Sequence, residues 1–134
     1  MTNGELIRIA AEAREKSYAP YSGFHVGAAL LGKSGKVYTG CNVENAAYTP
    51  TNCAERTAVF KAVSEGERDF LAIAIVGGKG ECLSDFCAPC GVCRQVLAEF
   101  CDGDFPVILG TPDNFQAYAF KDLLPFSFGK ADLG

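Results

Sequence analysis

Three cysteines and one glutamate carry the residue types and spacing that chemistry would need. Cys90 and Cys93 stand in the run Pro89-Cys90-Gly91-Val92-Cys93, and Cys53 lies well upstream, two positions before Glu55. A Cys-x-x-Cys pair lets two thiolates close on one ion at ~2.3 Å from each sulfur, the spacing that suits zinc. Both cysteine segments open stretches with a helical pattern. A helix N-terminus lowers thiol pKa, because its unpaired N–H groups and macrodipole favour an anion. A redox dithiol or two buried free thiols would also explain Cys90 and Cys93, so the neighbouring glutamate has to decide.

At roughly 100° per residue, Glu55 falls in the middle of the arc formed by Ala58, Val59, Ala62 and Val63, with Thr57, Lys61, Ser64 and Glu65 opposite. A carboxylate therefore points into the core. Burying a charge unpaired is costly, so a glutamate there needs a metal, a cation or a reacting group beside it. Arg56 could be a plain ion-pair partner, although adjacent residues on a helix do not face each other. It could also be an ordinary surface residue at the edge of the arc.

The elements that must hold these residues can be read from periodicity. Thr2-Asn3-Gly4-Glu5 has the form of a capping box, and Leu6, Ile9, Ala10 and Ala13 follow at helical spacing, which predicts a first helix ending before Tyr18-Ala19-Pro20. Alternation from Phe24 to Leu30, a turn at Gly32-Lys33-Ser34-Gly35, and a returning strand from Lys36 to Val43 predict a β-hairpin. A helix follows Pro50-Thr51 and runs to Glu65. Phe70 to Gly78 reads as a short, fully apolar strand, Gly91 to Phe100 as a helix, and Val107–Leu109 and Gln116–Phe120 as strands. A helical turn over Asp122–Leu124 comes last. The order predicts an α/β protein with a mixed sheet of about five strands and helices on both faces, a three-layer α/β/α arrangement.

At 134 residues the chain has the length of one domain, and 49% hydrophobic with 21% charged residues is enough to bury a core without disulfide staples. One domain over residues 1–134 is the expectation. Twelve basic against sixteen acidic residues give net −4, the wrong sign for gripping a polyanionic backbone, so nucleic acid is not expected as a partner. The charged N-terminal segment lacks the apolar stretch of a secretory signal, and no run approaches the ~20 apolar residues of a membrane span. Seven cysteines with a single histidine then point to reduced thiols in the cytoplasm, with no membrane partner.

Cys53-Ala54-Glu55 followed by Pro89-Cys90-Gly91-Val92-Cys93 is the signature of zinc deaminases in its three-cysteine form. With Phe24-His25-Val26-Gly27-Ala28-Ala29, Cys41-Asn42-Val43-Glu44-Asn45-Ala46-Ala47-Tyr48, Thr51-Asn52 ahead of the first motif, and Arg94-Gln95-Val96-Leu97 after the second, the chain resembles the small homotetrameric cytidine deaminases nearly end to end. The resemblance implies a cytidine-deaminase-like fold and one zinc ion per subunit on Cys53, Cys90 and Cys93, with a fourth position left for water. It implies Glu55 as proton shuttle in the deamination of cytidine and deoxycytidine, a pyrimidine salvage reaction. It further implies that Asn42 and Glu44 bind the ribose, Phe24 stacks on the base with Val26 beside it, and the Ala54 N–H meets the base carbonyl. Tyr48 and Phe128 would close the pocket, partly from neighbouring subunits, although Phe126 could take the place of Phe128. Arg56 would draw charge from the ligand sulfurs.

Spacing alone would also allow Asn42 and Glu44 to be a solvated strand end, and Phe24 and Val26 to be core. His25, with no partner in motif spacing, reads as packed or hydrogen-bonded, Cys101 as core, and Gly77-Gly78-Lys79-Gly80 as a loop, while Cys41 and Cys82 have no pattern. Two rivals stand beside the cytidine reading. One is a deaminase of another aminopyrimidine, such as blasticidin or a base within tRNA. The other is a structural site in which Cys87 completes four thiolates, which would exclude water and leave Glu55 without a role.

Overall fold

In the computed structural model, which describes residues 1–84 and 86–134, five strands form one mixed sheet in the order β2-β1-β3-β4-β5. The elements run α1 (Asn3–Arg14), β1 (Phe24–Gly32), β2 (Val37–Cys41), α2 (Ala54–Ser64), β3 (Phe70–Lys79), α3 (Gly91–Phe100), β4 (Pro106–Thr111), β5 (Asn114–Ala119), and the single turns α4 (Phe120–Leu123) and α5 (Lys130–Leu133). Strand β1 pairs antiparallel with β2 and β3, β3 runs parallel to β4, and β4 pairs antiparallel with β5. Parallel β3 and β4 need a crossover, and α3 lies within it. Both motif cysteine segments therefore lead onto helices that pack beside the central strands.

Alternating side chains feed two cores, as a sheet covered on both faces requires. Ala28, Leu30, Ile73, Ile75, Val107 and Leu109 pack with Ala58, Val59 and Leu97 under α2 and α3. Ala29, Ala72, Ala74, Val76 and Ile108 pack under Leu6, Ile7 and Ala10 of α1. The first helix starts on the expected capping box: Glu5 N–H donates to Thr2 Oγ1 at 3.1 Å and Thr2 N–H to Glu5 Oε1 at 3.0 Å. Its buried stripe uses Ile7 in full, with Ile9 only half-buried.

α1 can lie directly on β1 because Gly27 has no side chain. A Cβ there would stand 2.0 Å from the Ala10 carbonyl oxygen and 2.4 Å from the Arg14 nitrogen. Both obstacles are helix backbone, so they cannot rotate away. Gly27→Ala is expected to lower stability by roughly 3 kcal/mol, the upper end of overpacking costs, read as a lower urea midpoint; an unchanged midpoint would show that α1 can lift from the sheet freely.

Several expected boundaries move, and β4 and β5 run longer than expected at Pro106–Thr111 and Asn114–Ala119. Strand β2 ends at Cys41 rather than Val43, because the Asn42 side chain takes over the ladder there: its Oδ1 accepts from Val26 N–H at 2.9 Å and its Nδ2 donates to the Phe24 carbonyl at 2.8 Å. Helix α2 begins only at Ala54, since Cys53 is extended (φ −76°, ψ 157°). Phe120 starts α4 instead of ending β5, and α5 had no expected counterpart. Among the described residues, no helix is long and apolar enough to cross a membrane.

Candidate active site

Cys53 and Cys90 are the N-cap residues of α2 and α3, and neither side chain caps its helix by a hydrogen bond. Their thiols are free for another partner. The sulfurs of Cys53 and Cys90 are 3.7 Å apart and those of Cys90 and Cys93 are 3.6 Å apart, and all three lie within 4.8 Å of one another. Four ligands at ~2.3 Å in a tetrahedron would put sulfurs roughly 3.8 Å apart, so the set already has the dimensions of a zinc site with one position open. Cys87 is outside this group. Its sulfur packs where a Cβ on Gly77 would be, 2.5 Å away, and burial pushes its thiol up to about 11. A closed four-thiolate site is therefore not what the fold builds.

The surroundings of Cys53 favour negative charge. Cys53 is lowered to about 5, chiefly by a hydrogen bond from Cys93 and further by Arg56. Cys93 is raised by the same bond and by burial. Arg56 Nη2 donates to Cys53 Sγ at 3.3 Å, while its Nε is buried with no hydrogen-bond partner. A cation placed this way fits a sulfur set carrying more negative charge than one ion would neutralise.

Glu55 is 4% exposed, as the helical arc requires. Burial pushes its carboxyl up to about 7, opposed by its own backbone N–H and assisted by the charge at Cys53. The first intrahelical bond of α2 runs from Thr57 N–H to the Cys53 carbonyl, so the N–H groups of Ala54, Glu55 and Arg56 have no helical acceptor. A buried carboxyl, three convergent sulfurs and the Ala54 N–H, which has no helical acceptor, thus meet at one helix start.

They open onto a cleft of about 280 Å³, bounded by Phe24 and Val26 on β1, Asn42 and Glu44 after β2, Ala54 and Glu55 on α2, and Ala88 and Cys90 before α3. Glu44 is held as a carboxylate. Its Oε1 accepts from the N–H groups of Tyr21 and Ser22 at 3.0 and 3.1 Å, Ser22 Oγ donates to its Oε2, and these bonds keep its pKa below the usual range. Asn42, spanning Phe24 and Val26, keeps one N–H and one lone pair for another partner.

Tyr48 and Phe128 do not join this cleft within one chain. Tyr48, at φ 63° and 71% exposed, packs edge-on to Tyr21 in an adjoining depression that shares Ser22, Glu44 and Thr51. Phe128 lies beside α3, where its carbonyl accepts from Gln95 Nε2 at 2.9 Å, and Phe126 is fully exposed. Ser22, Thr51, Asn52 and Ala88 line the cleft without having been anticipated. Ser22 reaches Glu44 across the fold, a contact that no local spacing announces. His25 is hydrogen-bonded as expected, with Nδ1 2.6 Å from Ser17 Oγ, and Cys101 packs at the edge of the core.

Comparison with known proteins agrees with this geometry. A family model described as the cytidine and deoxycytidylate deaminase zinc-binding region matches residues 1–109. A cytidine deaminase of Sporosarcina psychrophila is 52% identical over 130 residues, spanning 96% of this chain and 93% of its own. One from Halalkalibacterium halodurans is 51% identical over 129 residues, spanning 96% and 95%. The crystal structure of cytidine deaminase from Burkholderia pseudomallei superposes with a TM-score of 0.87 at 49% identity, covering 96% of this chain and all of that one. With sequence, fold and a three-thiolate cluster in agreement, the chain belongs to the cytidine and deoxycytidylate deaminase family.

Proposed function

We propose that this chain hydrolyses cytidine and deoxycytidine to uridine and deoxyuridine with release of ammonia, as one catalytic domain over residues 1–134 holding one zinc ion. The observation that carries this reading is the buried Glu55 that lines the cleft beside the cluster of Cys53, Cys90 and Cys93. When bound, the ion supplies Lewis acidity that brings the pKa of a coordinated water to near 7. Glu55, which is not a ligand, is free to move protons. It takes one from the attacking water and delivers it to N3 of the base as C4 becomes tetrahedral, then takes the second from the new C4 hydroxyl and gives it to the amine, so that the C4–N bond breaks, ammonia leaves and the C4 carbonyl forms. Ala54 N–H, unpaired at the helix start, meets the base carbonyl. Phe24 stacks on the ring with Val26 beside it, and Arg56 offsets the excess charge of three thiolates on a divalent ion.

Asn42 and Glu44 bind the sugar, and the support for this is that both line the cleft and each keeps hydrogen-bonding capacity after its internal bonds are counted. A hydrogen bond to a charged group is worth about 1.5–3 kcal/mol, so Glu44→Gln is expected to raise KM for cytidine by roughly 10–100-fold. The turnover number should change less; a variant with parental KM would remove Glu44 from sugar recognition.

A homotetramer, in which Tyr48 and Phe128 of one copy close the cleft of another, is supported by their exposure of 71% and 57%. The reduced-thiol chemistry supports a cytoplasmic setting. The deciding experiment is loss of cytosine absorbance in a panel of nucleosides with zinc measured on the same sample. Fast turnover of cytidine or deoxycytidine is expected. Slow turnover of both beside a fast alternative aminopyrimidine would overturn the substrate assignment, and bound zinc with no turnover of any would overturn the enzyme.

A further inference from the structure

We propose that Arg14, the last residue of α1, is a positioning residue that sets the gap between the base-stacking strand and the segment leading to the metal thiolates. An arginine in the last turn of a helix ordinarily meets that helix's own final carbonyls. Here every bond of the guanidinium goes elsewhere. Nε donates to the His25 carbonyl at 2.9 Å, and Nη2 donates to the carbonyls of Gly78, Gly80 and Cys82 at 2.9, 2.6 and 3.2 Å. Four carbonyl dipoles from β1, β3 and the segment after β3 converge on one cation, a pattern that needs a planar fork and a full charge.

The two sides of this junction are two walls of the cleft. His25 lies between Phe24 and Val26, which line the cleft from β1, while Gly78 follows Gly77, against which the Cys87 sulfur packs just before Ala88 and Cys90, which line the cleft as well. Further bonds fasten the same turn. Gly80 N–H donates to the Gly23 carbonyl at 2.9 Å, just before Phe24, and Ser84 N–H to the Gly77 carbonyl at 2.7 Å. The turn lies flat on β3 because Gly78 has no side chain; a Cβ there would stand 1.9 Å from the Cys82 carbonyl oxygen. Without Arg14, the His25 carbonyl and the turn after β3 would lose the charged donor that joins them, and the turn would be held less closely to β1.

This inference rests on the deaminase reading for its kinetic consequence, but not for its structural one. A misplacement of ~1 Å far from the chemistry can cost 10²-fold. Zinc-loaded Arg14→Ala is therefore expected to lose about 10²-fold in kcat/KM for cytidine, mostly as a rise in KM, at parental zinc stoichiometry. Arg14→Lys, which keeps the charge but not the fork, should lose at least about tenfold. Hydrogen exchange in both variants should quicken at the Gly80 and Ser84 amides and stay parental at Ala74 and Ile75. Parental kcat/KM and parental exchange in the Lys variant would overturn the proposal, whether or not the Ala variant folds. So would an Ala variant that is merely less stable, with kcat/KM per folded chain within twofold of the parent. If the unaltered chain fails to turn over cytidine, the deaminase reading falls instead, and exchange at Gly80 and Ser84 alone decides the role of Arg14.

Discussion

Glu55→Gln is expected to fold, to hold one zinc ion per chain and to turn over cytidine about 10³-fold more slowly than the parent, within the ~10²–10⁴-fold that a positioned acid–base group contributes. The amide has the shape of the protonated carboxyl, and burial already pushes this carboxyl up to about 7, so the site accepts a neutral group without rearrangement. What the amide cannot do is take a proton from water and give it back. The measurement pairs metal analysis with steady-state kinetics on one preparation. Retained zinc with lost turnover identifies Glu55 as the shuttle; zinc lost in step with turnover would make it a support of the metal site, and parental turnover would remove it from the mechanism.

Glu55 is also where the sequence was most informative. A carboxylate centred on an apolar helical arc violates the rule that such a face is filled with hydrocarbon, and the fold bears out the implied burial. Local rules likewise carried α1, the β1–β2 hairpin and α3. They lose the cleft itself, because its walls are joined by long-range bonds with no periodic signal: Ser22 to Glu44, Asn42 to β1, Arg14 to the segment after β3. Boundaries slipped where a side chain replaced backbone pairing, as Asn42 does at the end of β2. Tyr48 and Phe128 were legible only as matches to a family pattern. Within one chain neither lines the cleft that they were expected to close, Tyr48 standing in the depression beside it and Phe128 beside α3.

Cys90→Ala separates the metal from the proton shuttle by failing in the other way. Cys90 is the sulfur with two short neighbours, Cys53 at 3.7 Å and Cys93 at 3.6 Å, so its removal takes one corner from a tetrahedron that has only three protein corners. Outer-shell changes at metal sites cost about 10–100-fold in affinity, and loss of a direct ligand should exceed that. The variant is expected to be isolated without zinc and without measurable turnover, and to unfold at lower temperature, because metal affinity that is absent from the unfolded chain is folding stability. Cys87→Ala supplies the contrast. Its sulfur packs on Gly77 outside the cluster, so that variant should keep its full zinc. Equal zinc loss from both variants would restore the four-thiolate site, and zinc retained in Cys90→Ala would show that the ion is held elsewhere.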